Sequence, residues 1–182
     1  MKKIEVVEFW KAYREALRQE GTREKYCDSK RWTAVAVPAA MSVCAESFGL
    51  NIDKEYLRLD VIGWERHAEH DWSLRIAYEH ENDWRTWREE LCKLAHVVAD
   101  LCVLSSYYAD EKQIGAELHE AVDRLKERLL RVEDRQWLFV FGPRSDSPNL
   151  PFQAFSLDDK GQVVPLPDDT PLRPESLRSE GK

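Results

Sequence analysis

The 182-residue chain lacks features that mark several large classes of protein. No apolar run approaches the roughly 18 residues of a membrane span, so we expect no association with a membrane. The charged N-terminal residues leave no apolar region of the kind that signal peptides contain. Only 7 Gly and 8 Pro occur in a chain that is 43 % hydrophobic, which excludes collagen-like and wholly disordered structure.

Cysteine is sparse and is not arranged as a disulfide framework. The four cysteines form no Cys-x-x-Cys pair, and three of them lie in apolar runs. They predict buried free thiols and a cytoplasmic protein, because the cytoplasm keeps thiols reduced. The sequence also contains no Gly-rich phosphate loop and no Ser/His/Asp order typical of a hydrolase triad.

Negative charge is concentrated in the middle of the chain. The formal net charge is −7, and residues 36–110 carry fourteen acidic against seven basic side chains. Residues 1–35 are basic, with nine basic and six acidic side chains. This balance argues against a protein that coats nucleic acid non-specifically.

The spacing of apolar residues predicts alternating helices and strands. The helices cover residues 4–20, about 33–48, about 84–98 and 111–131, and the strands cover 56–61, 72–81, 101–104, 137–141 and 152–157. A strand, a helix and a wholly apolar strand in succession predict a βαβ crossover with its two strands parallel. The fold class is therefore α/β, a small mixed β-sheet flanked by helices.

The chain is predicted to form one domain, with N-terminal helices, over residues 1–164. Residues 165–182 hold four of the eight prolines, alternating charge and no aromatic residue. This composition offers little apolar area to bury, so a disordered Pro-rich tail is expected there.

The strands 56–61 and 72–81 predict an antiparallel hairpin with an acidic face. If they pair symmetrically about the turn, Asp60 lies opposite Glu79, and Glu81 lies on the same face. Like charges this close destabilise a sheet unless a counter-charge is present. A divalent cation with oxygen ligands would supply it, and a metal held by two carboxylates can polarise a phosphate oxygen and activate water. The pattern indicates hydrolysis of a phosphodiester, with the third carboxylate orienting or deprotonating the water.

The segments Arg58–Ile62 and Ile76–Asn82, followed by a helix and a buried strand, resemble the PD-(D/E)XK nuclease superfamily over about residues 33–108. The resemblance implies a restriction-endonuclease-like αββαβ core, a nucleic acid substrate and Mg or Mn as the cofactor. It implies Asp60 and Glu79 as metal ligands, with the backbone carbonyl of His80 as a third ligand. It also implies Glu46, in the preceding helix, as a further member of the site.

Two departures from the family pattern concern the motif lysine and the first strand. Glu81 stands where the family has lysine, which gives an E-x-E variant, and no strand is evident before the one that carries Asp60. Some members place the lysine on the following helix, where this chain has Lys93. On a helical wheel Lys93 lies opposite the apolar stripe, and it is predicted to be solvated.

Two alternatives remain at the level of sequence. The three carboxylates could form a solvated hairpin face that Arg58 and Arg75 neutralise. The protein could correspondingly be a non-catalytic interaction or regulatory protein on the same fold, with its acidic middle facing a basic protein partner.

Overall fold

A computed structural model describes residues 3–130, 132, 134–147, 149–167 and 170–177. The helices are α1 (Val6–Glu20), α2 (Arg23–Tyr26), α3 (Ser29–Ser42), α4 (Trp87–Leu94) and α5 (Ile114–Leu129). The strands are β1 (Asn51–Tyr56), β2 (Leu59–Ala68), β3 (Asp71–His80), β4 (Leu101–Tyr108), β5 (Gln136–Pro143), β6 (Gln153–Leu157) and β7 (Val163–Pro165). A π-helical turn (Val43–Ser47) extends α3, and a 3₁₀ turn covers Pro174–Ser176.

The seven strands form one mixed sheet whose spatial order is the order in the chain. β1, β2 and β3 make an antiparallel meander, and β3, β4 and β5 are parallel. β6 and β7 return antiparallel. The predicted α/β class and the predicted parallel pairing of β3 with β4 are confirmed. Parallel strands need a crossover connection, and α4 provides it here.

Both faces of the sheet are covered, and alternate residues of each central strand belong to different cores. Tyr78, Val103 and Val140 pack with α1 and α3 on one face. Ala77, Leu104 and Phe139 pack with α4 and α5 on the other. Because side chains alternate along a strand, each residue of β3 faces one of the two layers. Glu79 faces the α4 layer, and His80 faces the α3 layer.

The prediction of a single strand over residues 56–61 is wrong. The structure breaks that segment into the end of β1 and the start of β2, with Tyr56 paired to Leu59 across a two-residue turn. Leu57 and Arg58 form this turn with φ of 53° and 64°. Type I′ turns of this kind normally carry Asn or Gly, so the sequence gives no turn signal and β1 is not apparent in it.

The C-terminal segment packs against the core, contrary to the expectation of a disordered tail. Leu172 is 0 % exposed and Leu177 is 5 % exposed. The Leu172 carbonyl accepts a hydrogen bond from the backbone N–H of Phe152 (2.7 Å). These isolated leucines have no period to reveal them, but each buries a full side chain. Residues 168–169 and 178–182 of the predicted tail lie outside the described residues.

No helix within the described ranges is both long enough and apolar enough to span a membrane.

Candidate functional site

The β2–β3 hairpin has the register that the sequence predicts at the end nearest the acidic residues. Three consecutive pairs fix it: Val61 with Tyr78, Ile62 with Ala77, and Gly63 with Ile76. One further step in the same register places Asp60 opposite Glu79. A bulge between Gly63 and Trp64 shifts the register only beyond this point.

Asp60 lies at the end of the β2–β3 ladder and is half-buried. Its Oδ2 accepts a hydrogen bond of 2.7 Å from the backbone N–H of His80. The carboxylate thus takes the place of a backbone acceptor where the ladder ends. This bond holds Asp60 beside the His80 peptide, next to Glu79.

Glu79 is buried and carries its own counter-charge, Lys93 from α4. The side chain of Glu79 is 4 % exposed, and its Oε1 forms an ion pair with Lys93 Nζ. The same ammonium group contacts Glu90 Oε2 and donates a hydrogen bond to the Arg58 carbonyl (2.9 Å). One lysine therefore ties together β3, α4 and the β1–β2 turn.

The prediction that Lys93 is solvated is wrong. The helical wheel places it correctly away from the Leu91 stripe, but the β1–β2 turn covers that side of α4. Lys93 is 30 % exposed because its side chain lies between the Arg58 carbonyl and Glu79. A single helix cannot reveal a neighbour that belongs to a distant turn.

The electrostatics of the pair reflect burial. The pKa of Glu79 is raised overall to about 8: burial is the largest cause and raises it, the hydrogen bond with Lys93 lowers it, and the charge of Asp60 raises it. Partial burial lowers the pKa of Lys93, but its contacts with Glu79 and Glu90 raise it above the usual value overall. Lys93 therefore stays charged, and Glu79 holds its proton more tightly than an exposed glutamate does.

Glu81 does not join this group. β3 ends at His80, so the alternation of faces that predicts a shared surface stops before Glu81. Glu81 Oε1 instead accepts a hydrogen bond from the Asp83 backbone N–H (2.7 Å). The charge of Glu81 does not contribute to the pKa shift of Glu79. The charge of Glu90 does, although the sequence analysis did not select that residue.

Glu46 also stays apart from the acidic pair. It is exposed in the π-helical turn that ends α3, and α3 packs on the opposite face of the sheet from α4. The start of α3 is the end near the site, since Thr33 donates a hydrogen bond to Asn82 (2.9 Å). Glu46 lies more than three helical turns from that contact.

His80 is a core residue, as its position on the apolar side of β3 predicts. It is 7 % exposed, its Nδ1 lies 3.1 Å from Ser105 Oγ, and its ring packs against Tyr107. Burial lowers the pKa of His80 to about 4, so the imidazole is neutral at pH 7. The backbone of His80, and not its ring, faces Asp60.

Arg75 does not neutralise the acidic pair. It forms ion pairs with Glu65 and Asp100, the latter at 2.5 Å, nearer the start of β3. Since Glu79 is buried and pairs with Lys93, this carboxylate is not part of a solvated face. That alternative is therefore wrong for Glu79.

The donor set suits a hard cation only in part. Asp60 and Glu79 offer two carboxylates at one end of a strand pair, which Mg²⁺ accepts when waters complete its coordination. Among the described residues, no cluster of three or more His, Cys, Asp or Glu side chains is arranged to hold a metal ion. A site here would rely on two carboxylates, backbone oxygen and water.

No protein-family model matches this chain, and no curated protein matches it.

Proposed function

We propose that the protein is a metal-dependent nuclease that hydrolyses phosphodiester bonds. Asp60 and Glu79 would bind Mg²⁺ or Mn²⁺, and Lys93 would take the place of the lysine that the E-x-E motif lacks. The observation that carries the proposal is the ion pair of Lys93 with Glu79, opposite Asp60 in the hairpin register. An acid pair with an adjacent lysine is a compact arrangement for activating water at a phosphate.

The order of the elements supports a restriction-endonuclease-like core. A helix (α3), an antiparallel meander (β1–β3), a crossover helix (α4) and a parallel strand (β4) follow one another. β1 would correspond to the family strand that is not evident in the sequence. Glu46 does not support the proposal, because it lies on the other layer.

The chain's own groups have distinct roles in this proposal. The N–H and C=O of a strand residue point to the same neighbouring strand, so the His80 carbonyl lies on the side of Asp60 and can serve as a third ligand. A bound divalent cation would polarise the phosphate and lower the pKa of a bound water. Lys93, charged at neutral pH, would stabilise negative charge on a non-bridging phosphate oxygen.

The overall step adds water to phosphorus and breaks one P–O ester bond. The proton of the attacking water passes to a carboxylate of the site, and the leaving oxygen takes a proton from solvent. Glu90 is held beside Lys93 and is the acid nearest to that role, while Glu81 lies in the following loop.

Cation binding and cleavage can be tested on one set of variants. We expect calorimetric titration with Mn²⁺ to give a binding isotherm for the wild type and none for Asp60→Asn, whose amide oxygen can still accept the His80 N–H. Plasmid nicking should require Mn²⁺ or Mg²⁺ and be lost in Asp60→Asn. Glu89→Gln, an exposed acid on α4, is the matched control and should behave as wild type.

A melting experiment separates a metal site from a merely acidic face. A cation at a hundred times its Kd should stabilise the wild type by roughly 2.7 kcal/mol, which raises Tm by about 5–10 °C for a chain of this size. The same cation should leave Asp60→Asn unchanged. A wild type that neither binds nor responds to either ion contradicts the proposal.

One observation favours a second candidate, a non-catalytic interaction protein. Leu57, Trp72 and Val98 are 71 %, 45 % and 69 % exposed and border one open groove of about 770 Å³. Exposed apolar side chains gathered in one place are typical of a protein–protein surface. This candidate predicts no cation effect on any variant and lowered affinity for a protein partner in Leu57→Ser.

A further inference from the structure

A second feature lies at the same end of the sheet, just beyond the acidic pair. A cleft of about 460 Å³ opens at the carboxyl ends of β3, β4 and β5. Its lining includes Glu81, Trp84, Arg85, Tyr107 and Arg144. Glu81 follows Glu79 by two residues, about 7 Å of extended chain. The cleft is thus next to the proposed catalytic residues, outside the carboxyl ends of the parallel strands.

Tyr107 lines the cleft and carries a buried hydroxyl group. The residue is 7 % exposed, and its hydroxyl has no hydrogen-bond partner within the described part of the chain. Burial raises the pKa of Tyr107 above its ordinary value, so the hydroxyl keeps its proton and can donate. A buried hydroxyl without a partner costs free energy that a ligand atom in the cleft would recover.

Trp84 and Arg144 give the cleft an aromatic face beside a positive charge. The Arg144 guanidinium lies 5.7 Å from the centroid of the Trp84 ring. It is 45 % exposed and forms an ion pair with Asp146 at 2.9 Å. An aromatic ring next to a half-exposed arginine suits a base that stacks and a phosphate that is neutralised.

Two acids line the cleft, and one of them, Asp83, forms an ion pair with Arg85 at 2.6 Å. Glu81 borders the cleft and can accept a hydrogen bond from an N–H of a base, while Tyr107 donates. Stacking, one donor and one acceptor are the contacts that hold a single unpaired nucleotide. The volume of the cleft lies within the range of roughly 300–1,000 Å³ that is usual for small-molecule sites.

We infer that this cleft binds one unpaired nucleotide of the substrate, so that the substrate is single-stranded nucleic acid. The inference rests on the proposed function for its connection with cleavage. A base inside a duplex reaches such a cleft only by leaving the stack, which costs a few kcal/mol, so a single strand binds at lower cost. Binding through base stacking also suits a protein with a net charge of −7, because duplex binding relies mainly on positive charge that neutralises phosphates.

The test measures binding apart from cleavage. Fluorescence anisotropy in EDTA would follow a labelled single-stranded oligonucleotide and the same sequence as a duplex. We expect the single strand to bind the wild type at least fivefold more tightly than the duplex. Trp84→Leu and Arg144→Gln should each weaken single-strand binding at least fivefold, the range for loss of one stacked base.

Matched controls and a hydroxyl deletion guard against misfolding. Tyr56→Leu and Arg124→Gln remove an exposed aromatic residue and an exposed arginine outside the cleft and should bind as wild type. Tyr107→Phe removes only the unpartnered hydroxyl. It should weaken binding while its Tm equals or exceeds that of the wild type.

The outcomes distinguish this inference from the proposed function. Equal affinity for duplex and single strand, or equal loss in cleft and control variants, overturns the cleft assignment. Cation-dependent cleavage that is lost in Asp60→Asn would still stand in that case. Cleft-dependent binding of the single strand with no cation-dependent cleavage overturns the proposed function, and with it the identification of the strand as substrate.

Discussion

Lys93 forms an ion pair with Glu79 from a helix that follows β3, and the same ammonium group contacts Glu90 and the Arg58 carbonyl. A single positive charge is thus shared by two carboxylates and a strained turn. Lys93 supplies the positive charge beside the buried Glu79. Stability and the proposed chemistry therefore depend on the same side chain.

Lys93→Met should separate these two roles. We expect nicking activity to fall by about 100-fold, the usual cost of removing one group that stabilises transition-state charge. Affinity for Mn²⁺ should hold or rise, because a neighbouring positive charge is gone. Lys112→Met, an exposed lysine before α5, is the control. Loss of Mn²⁺ binding in Lys93→Met would contradict this assignment.

Glu79 should make stability depend on pH in a specific window. Its pKa rises from 4.5 to about 8 on folding, so the folded protein holds this proton more tightly than the unfolded chain. The resulting stability is fully present below pH 4.5 and is lost as pH rises through about 8. In urea unfolding, wild type should lose up to about 5 kcal/mol across this window relative to Glu79→Gln. Parallel pH profiles for the two proteins would refute the raised pKa.

The C-terminal leucines should contribute to stability. Leu172→Ala creates a cavity at a fully buried position and should cost about 2–4 kcal/mol in chemical unfolding. Leu57→Ala removes the same atoms at a position that is 71 % exposed and should change stability by less than about 0.5 kcal/mol. Equal effects of the two changes would indicate that the C-terminal segment does not pack on the core.

The β1–β2 turn should improve with residues that its backbone prefers. Leu57 and Arg58 both have positive φ, which costs non-glycine residues about 1 kcal/mol or more each. The double change Leu57→Asn and Arg58→Gly should raise the free energy of unfolding by about 1–2 kcal/mol. The Arg58 contact with Lys93 uses the backbone carbonyl, so activity should be retained. A destabilised double variant would show that the leucine and arginine side chains matter to the turn.

Sequence period was sufficient for the central part of the fold. The alternation in β3 indicates a strand buried on one face, and the wholly apolar residues 101–104 of β4 indicate a strand buried on both faces. The parallel pairing and the position of Asp60 opposite Glu79 could therefore be predicted. The ends of these patterns could not. Glu81 continues the alternation in the sequence, yet the strand ends one residue earlier and its side chain bonds to the next loop.

The remaining features depend on contacts between distant segments. The β1–β2 turn carries no turn residue, so β1 was not recognised and the covering of Lys93 could not be foreseen. Leu172 and Leu177 are isolated in a proline-rich segment, where only the finished core gives them a place to pack. The local sequence pattern predicts the local secondary structure, whereas the burial of Lys93, Leu172 and Leu177 depends on contacts with distant segments.

Because each strand in the described part of the chain pairs only with its neighbours in sequence, the sheet can grow in the direction of synthesis. A ribosome that releases β1 to β7 in order delivers each new strand to an edge that already exists. The first helix is the exception. Its Val6 N–H bonds to Gln136, and Arg18 bonds to the carbonyl of Thr170 at 2.8 Å, so α1 completes its contacts only after nearly the whole chain has emerged.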